Sequence, residues 1–314
     1  MSVLALCASH TPLKDHYAPP PAVQADVDAC FARVRRQIAD FAPEVILIFG
    51  PDHYNGFFYR LMPAFCIGAV TASIGDWNTP QGPLPGDPAL AEAAVAHAHR
   101  SGVDVAISHQ MEVDHGLTQT LQLIHPWETL PKVLPVFINC VAAPRPPLAR
   151  VVALGRALGE FVAGLGERVL IVGSGGISHD PPVPLLAGAS PAVRERLIAG
   201  GTLSPEARAA RQARVIDEGR LQASGESASV PLNPAWDRAF LAALEAQDFA
   251  ALSAYSDADI SREGGRGGHE IRCWVAVAAA MAAIGARAPR VELYHAIPAW
   301  VAGFAVLTQG PVDA

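Results

Sequence analysis

Short apolar runs alternate along the chain with longer stretches in which apolar residues recur every three or four positions. The apolar runs predict strands at 3–8, 45–49, 104–108, 133–138 and 168–172, and a hairpin or further strands at 57–70. The stretches with helical spacing predict helices at 22–41, 88–101 and 148–165. This alternation favours an α/β fold with a mainly parallel or mixed central sheet flanked by helices. We expect the active site at the strand ends.

The segment 191–228 has a different composition, because it is rich in Ala, Arg, Glu and Gln and poor in large apolar residues. It predicts an exposed helical arm followed by a Gly/Ser loop. A solvated arm and a lid or subunit contact are both consistent with this pattern. Since no internal repeat or linker interrupts the chain, we expect residues 1–314 to form a single domain.

Composition limits the class of protein. Of the 314 residues 51% are hydrophobic and 17% charged, which suits a compact enzyme with a large core and apolar subunit contacts, so we expect a homo-oligomer. The net charge is −7, and no basic stripe indicates nucleic-acid binding. No apolar run has the length of a membrane span. The N-terminus lacks a signal-peptide pattern, and five cysteines without C-x-x-C spacing predict free core thiols, so we expect a cytoplasmic protein.

Four histidines lie just beyond strand-like runs. They are His10 after VLALCAS, His53 after EVILIFGPD, His115 after DVAISHQMEVD and His179 after RVLIVGSGGIS. Histidine is the commonest metal ligand and transfers protons near neutral pH. Because the carboxyl ends of parallel strands meet at one edge of a sheet, the four predict a single shared site.

A fifth histidine, His269, stands beside Glu270 at the start of the apolar helix EIRCWVAVAAAMAAIG. Glu270 is equally consistent with an ordinary first-turn acid that interacts with the helix dipole. Spacing alone does not choose it as a metal ligand over other acids, and it does not separate iron from zinc. The competing carboxylates are Asp52, Asp76, Asp114 and Asp180.

Several motifs together resemble one family, the class III extradiol ring-cleavage dioxygenases, which is the superfamily of the protocatechuate 4,5-dioxygenase catalytic subunit. The resemblance covers nearly the whole chain. PDHYNGFFY and GSGGISH, at this separation, form its most specific signature. The other segments that carry it are SHTPL, VDHG, LPVFIN, LNPAWD, HEIRCWVA and IPAWVAGFA.

The resemblance implies that His10, His53 and Glu270 bind a non-haem Fe(II). Two histidines and one carboxylate on one face of the metal leave positions open for a catechol and O2. It further implies that His115 and His179 form an acid–base pair. We favour His179 as the base that receives the catechol proton and His115 as its partner in the rearrangement.

The resemblance also implies a substrate, 3-(2,3-dihydroxyphenyl)propionate, and its cinnamate analogue, with 2-hydroxy-6-oxonona-2,4-dienedioate as the product of the former. Arg266, in the loop SREGGRGGHE, is a candidate to bind the side-chain carboxylate, although a solvated loop arginine fits the same pattern. Tyr54 and Asn55, next to His53, are candidates to line the pocket. A turn role for Asn55 is equally consistent with its position.

Two other kinds of protein remain consistent with the same fold. One is a binding or signalling protein without dioxygenase activity. The other is a metal-dependent hydrolase in which two histidines and a carboxylate hold a metal with water in the open position. The presence of all five candidate residues, which are the three expected metal ligands and the acid–base pair, favours the oxygenase.

Overall fold

The strands and helices alternate as the apolar pattern predicted. The protein's structure, a computed structural model, describes residues 2–313. Its strands are β1 Ser2–Ala8, β2 Val45–Gly50, β3 Phe65–Gly68, β4 Thr71–Ile74, β5 Gln81–Pro83, β6 Ala106–Ser108, β7 Met111–Val113, β8 Lys132–Ile138, β9 Val169–Ser174, β10 Arg290–Ile297 and β11 Ala302–Asp313. Its α-helices are α1 Pro21–Phe41, α2 Pro88–Arg100, α3 His115–Ile124, α4 Leu148–Ala163, α5 Pro191–Ala199, α6 Pro205–Ser224, α7 Pro234–Glu245, α8 Phe249–Ala254, α9 Asp257–Glu263 and α10 Ile271–Ala283.

The central sheet has eight strands in the order β10-β11-β1-β9-β2-β8-β3-β6. Its middle strands β1, β9, β2 and β8 are parallel neighbours, whereas β11 and β3 run antiparallel to the strands they flank. A second, three-stranded sheet has the order β5-β4-β7. The mixed sheet flanked by helices confirms the predicted fold class.

The strand residues alternate between two apolar cores, one on each face of the sheet. In β2, Val45, Leu47 and Phe49 join the core that also contains α4 and α10. Ile46 and Ile48 join the core formed with α1 and α3. All six β2 residues are buried, which explains a continuous apolar run in place of an alternating one.

The closest helix packing is between α4 and α10. A Cβ added to Gly155 would lie 2.3 Å from the carbonyl oxygen of Ala276, and one added to Gly159 would lie 2.3 Å from that of Ala280. Only glycine allows the two backbones to approach this closely. The contact fixes α10 beneath the sheet with Glu270 at its amino end.

The segment 57–70, predicted as a hairpin or further strands, contributes the single strand β3. The carboxylate of Asp52 accepts hydrogen bonds from the backbone N–H groups of Asn55, Gly56 and Phe57 and thereby holds a loop. These bonds offer the backbone an alternative to strand pairing.

The segment 191–228 forms α5 and α6, most of whose positions are exposed. One side of α6 packs on two short 3-10 turns, Pro12–Asp15 and Pro298–Trp300. It therefore covers the carboxyl edge of the sheet.

All five cysteines are buried and free, as predicted. The nearest pair is Cys140 and Cys273, with sulfur atoms 3.9 Å apart. In the stretch from residue 2 to residue 313, no helix is both long and apolar enough to cross a membrane.

Candidate active site

The candidate site lies where three neighbouring parallel strands end. His10 follows β1, His179 follows β9 and His53 follows β2, and these strands are adjacent in the sheet. His115 opens α3 and Glu270 precedes α10. The structure therefore brings together the five residues that were predicted as ligands and acid–base pair.

The carboxylate of Glu270 lies among three of the histidines. Its Oε1 is 3.1 Å from Nε2 of His53, and its Oε2 is 3.8 Å from Nε2 of His10 and 3.5 Å from Nε2 of His179. The backbone N–H of Gly176 donates to Oε2 at 2.7 Å. Glu270 is thus fixed between strand ends that are far apart in sequence.

His115 joins the cluster through the other rings. Its ring stacks on that of His53 with centroids 4.5 Å apart and meets that of His10 edge-on at 5.6 Å. Ring nitrogens of His10, His53 and His115 all lie within 4.8 Å of one another. Four imidazoles and one carboxylate therefore share a small volume.

The Nδ1 atom of each of the four histidines contacts a partner that orients the ring. The contacts are His10 with Oγ of Ser174 at 3.1 Å, His53 with Oδ2 of Asp114 at 3.1 Å, His115 with Oδ2 of Asp76 at 2.6 Å, and His179 with the carbonyl oxygen of Ile177 at 3.0 Å. A partner on one ring nitrogen is typical of histidines whose other nitrogen binds a metal or moves a proton.

Burial and charge make this cluster suited to a cation. Glu270 is 1% exposed. Burial alone would raise its pKa, but the neighbouring His10, His179 and His53 hold it well below its ordinary value. Burial likewise opposes the charged form of His53, yet Asp114 and Glu270 raise its pKa well above the usual range. By contrast, burial lowers the pKa of His10 to about 3.

The donors fit a metal ion. A buried carboxylate requires positive charge nearby, and a bound cation would supply that charge in place of a proton on His53. Two imidazole nitrogens and a carboxylate oxygen match the two-histidine, one-carboxylate set of non-haem iron sites. His10, His53 and Glu270 form such a set, and His115 lies beside it.

Glycines make room for this arrangement. A Cβ on Gly175 would lie 2.9 Å from Cβ of Glu270, and one on Gly176 would lie 2.5 Å from Cε1 of His179. The absence of side chains at Gly175 and Gly176 therefore admits two of the site's own side chains.

A cavity opens above the cluster and is closed by more distant parts of the chain. His10, His53, His115 and His179 form one end of it. The remaining walls are mainly apolar, apart from Arg211 on α6; they include Leu13, Trp77, Val183, Val215 and Trp300. Apolar walls with a few polar groups at one place suit an aromatic ligand that carries hydroxyl groups.

The candidate pocket residues Tyr54 and Asn55 lie outside the described lining of this cavity. Tyr54 is buried in a small cluster with Leu197, and the Asn55 amide donates to Asp114 at 2.8 Å. Asn55 thus supports the carboxylate that orients His53.

Arg266 lines a separate, smaller cavity behind His53 and Glu270. Its guanidinium contacts both carboxylate oxygens of Asp180, at 2.6 and 3.1 Å.

His269 points away from the site. Its ring nitrogens contact Ser261 and Arg272, both at 2.8 Å. Among the two adjacent helix-start residues, Glu270 alone contributes to the cluster.

The residues of this site that were not predicted include Asp76 as the partner of His115, Trp77 and Arg211. Asp76 and Trp77 lie in the turn GDWN after β4, and a polar turn after a strand was the available signal. Arg211 lies in the polar segment 191–228, where composition gives no sign that one side faces a cavity.

Comparison with known proteins bears on the family of this chain. Residues 4–305 match the family described as the catalytic LigB subunit of aromatic ring-opening dioxygenase. Proteins named 2,3-dihydroxyphenylpropionate/2,3-dihydroxicinnamic acid 1,2-dioxygenase are similar throughout. One from Cupriavidus pinatubonensis is 47% identical over 97% of both chains, and one from Paraburkholderia xenovorans is 48% identical over 99% of both.

A solved structure shares the fold alone. The crystal structure of an uncharacterized protein from Escherichia coli K12 matches with a TM-score of 0.50 and 15% identity, covering 98% of this chain and 99% of that one. The family match spans nearly every element described above and confirms the family that the motifs predicted. Members of that family open catechol rings with a metal cofactor. This chain belongs to that family of aromatic ring-opening dioxygenases.

Proposed function

We propose that this protein cleaves 3-(2,3-dihydroxyphenyl)propionate, and 2,3-dihydroxycinnamate, with O2 on Fe(II). The ring bond between the alkyl-bearing carbon and the adjacent hydroxylated carbon breaks, and both oxygen atoms of O2 enter the product. For the propionate, this product is 2-hydroxy-6-oxonona-2,4-dienedioate. The observation that carries the proposal is the convergence of His10, His53 and His179 on buried Glu270, with His115 stacked beside them, where all four histidines line one cavity. The names of relatives 47–48% identical supply the substrate class.

His10, His53 and Glu270 are the proposed ligands of the iron. Bound Fe(II) would supply an electron-rich centre that can bind a catechol and O2. Ser174 and Asp114 contact Nδ1 of His10 and His53 and thereby hold the two imidazoles with Nε2 toward Glu270. The ligand set is thus oriented before the metal arrives.

His179 and His115 are the proposed acid–base pair. His179 lies against Glu270 and lines the cavity, where it receives the proton that the catechol loses on binding. His115 faces the same cavity, and Asp76 fixes its ring at 2.6 Å. His115 then gives a proton to the substrate as the ring opens. Positioned groups of this kind each contribute roughly 100- to 10,000-fold.

The alternative roles lose support from the family match. A metal-dependent hydrolase would use the same ligands with water, and a binding protein would need no acid–base pair. Membership of a ring-opening dioxygenase family and the presence of the full cluster favour the oxygenase.

The test is to load the protein with Fe(II), add 3-(2,3-dihydroxyphenyl)propionate and record absorbance and O2 uptake together. We expect a yellow product, one O2 consumed per substrate and both atoms of labelled O2 in the product. Product formation without O2 uptake would contradict the proposal.

We also infer that the chain works in the cytoplasm as a homo-oligomer. Five buried free thiols are typical of a reducing compartment. Light scattering on the purified protein and cell fractionation check the two statements, and a monomer or a secreted protein would overturn them.

A further inference from the structure

Arg211 is the cationic side chain that lines the main cavity. It lies on α6, and its Nη2 donates to the backbone carbonyl oxygen of His53 at 2.7 Å. A guanidinium has five N–H donors, so this bond leaves others free for a ligand. The charge is therefore held beside a proposed metal ligand.

Arg145, Arg266 and Arg272 are engaged differently, because each is held by a carboxylate. Arg266 is bound by Asp180, and both Arg145 and Arg272 are bound by Asp257. Across residues 2–313, no carboxylate lies within 4.0 Å of the Arg211 guanidinium. Arg211 thus offers its charge to the cavity without an ion-pair partner of its own.

The carboxylates nearest to Arg211 already have other partners. Asp52 accepts from loop backbone N–H groups, Asp76 contacts His115, and Asp114 contacts His53. They lower the cost of placing a positive charge here, but their oxygens are used elsewhere. A carboxylate arriving with a ligand would find free donors on Arg211.

The cavity that Arg211 and the four histidines line also has apolar walls. Trp77, Val215 and Trp300 line it. Such walls suit the ring and the short carbon chain of a substituted catechol, including the flat unsaturated chain of a cinnamate. The charged end of that chain then requires a charge-assisted partner.

We propose that Arg211 binds the side-chain carboxylate of the substrate and sets the preference for acid-tailed catechols. This inference rests on the proposed function. It assigns to Arg211 the role that the sequence predicted for Arg266. Arg266 is occupied by Asp180 and faces the smaller cavity.

The test compares an acid with a neutral ligand of the same length. Binding of 3-(2,3-dihydroxyphenyl)propionate and of 3-propylcatechol is measured by calorimetry without O2, and turnover is measured with O2. Loss of a charge-assisted hydrogen bond weakens binding by about 10- to 100-fold. We expect Arg211→Ala to lose this factor for the acid relative to 3-propylcatechol, and a loss common to both ligands reports the bond that Arg211 makes to the His53 carbonyl oxygen.

Three further variants complete the test. Arg211→Lys keeps the charge and should recover part of the acid affinity. Arg208→Ala removes an arginine one turn earlier on α6, and Arg266→Ala removes the competing candidate; both should keep the preference for the acid. Acid-specific loss in Arg266→Ala with none in Arg211→Ala overturns the proposal.

Two other results also overturn it: equal losses for both ligands in Arg211→Ala, or no loss for either. If the unmodified protein turns over neither catechol, the proposed function fails. The binding data obtained without O2 still decide the role of Arg211.

Discussion

The end of the central sheet and the helix α6 meet across one cavity, but α6 and the preceding α5 are built in the opposite way from the sheet. The residues of β2 and β9 are all buried, and α10 is buried along its entire length up to Met281. In α5 the buried residue is Leu197, and in α6 Glu218 and Gly219. The chemistry is held by the rigid part, whereas the covering part contributes few buried contacts.

The two regions are joined by hydrogen bonds to backbone oxygens. Arg211 donates to the carbonyl oxygen of His53, and Arg196 donates to that of Tyr54 at 2.9 Å. Contacts of this kind depend little on which side chains the loop carries. This contrast between a buried sheet end and an exposed covering helix indicates that side chains on α6 can alter ligand preference while the metal cluster stays unchanged.

Removal of a proposed metal ligand should have the largest effect. His10→Ala, His53→Ala and Glu270→Ala should each lose bound iron and all measurable turnover, because each deletes a donor from a set of three. A chelator should do the same to the unmodified protein. Metal analysis of the purified variants, alongside O2 uptake, checks this. If a variant keeps full iron content and activity, the residue that it replaces is not a metal ligand.

The acid–base pair should respond differently. His115→Gln and His179→Gln should keep iron near its normal content and yet lose about 100- to 10,000-fold in rate, because proton transfer is lost and the donors of the metal remain. Iron content and kcat are measured on the same samples. Loss of metal in step with activity would move that histidine into the ligand set.

Residues behind the ligands should show smaller effects. Ser174→Ala removes the contact with Nδ1 of His10 at 3.1 Å. Such supporting partners typically change metal affinity by about 10- to 100-fold. Titration with Fe(II) under anaerobic conditions should show weaker binding with little change in kcat at saturating metal. Unchanged affinity would mean that packing alone orients His10.

Stability should also separate the two regions. Gly159→Ala forces a Cβ to within 2.3 Å of the Ala280 carbonyl oxygen, and overpacking of this kind costs about 1–3 kcal/mol. Ala209→Gly on the exposed side of α6 should cost about 1 kcal/mol or less. Urea unfolding of both variants measures the difference. A larger loss from Ala209→Gly would contradict the contrast between the regions.

The sequence predicted the sheet end well, for a physical reason. Histidines placed after fully apolar runs must lie at strand ends, and adjacent parallel strands bring such ends together, as His10, His53 and His179 show. Glu270 could not be chosen from spacing, since several other acids fitted equally well. Resemblance to the family singled it out, and the structure places it among the histidines.

The cavity wall could not be predicted in the same way. Asp76 reaches His115 across 39 residues because β4 belongs to a second sheet that the apolar pattern did not indicate. Arg211 belongs to a helix whose polar composition is typical of a solvated surface. One inward-facing arginine leaves no periodic signal, so only the three-dimensional fold reveals it.

The ratio of kcat/KM for 3-(2,3-dihydroxyphenyl)propionate to that for 3-propylcatechol tests the division between the two regions most directly. It should be measured in the unmodified protein, in His179→Gln and in Arg211→Ala, all loaded with Fe(II). We predict that His179→Gln lowers both constants by a similar factor and keeps the ratio. Arg211→Ala should reduce the ratio about 10-fold or more, because the acid substrate loses a charge-assisted bond that the neutral one never makes. The opposite pattern, with the ratio changed by His179→Gln and kept by Arg211→Ala, would contradict the account.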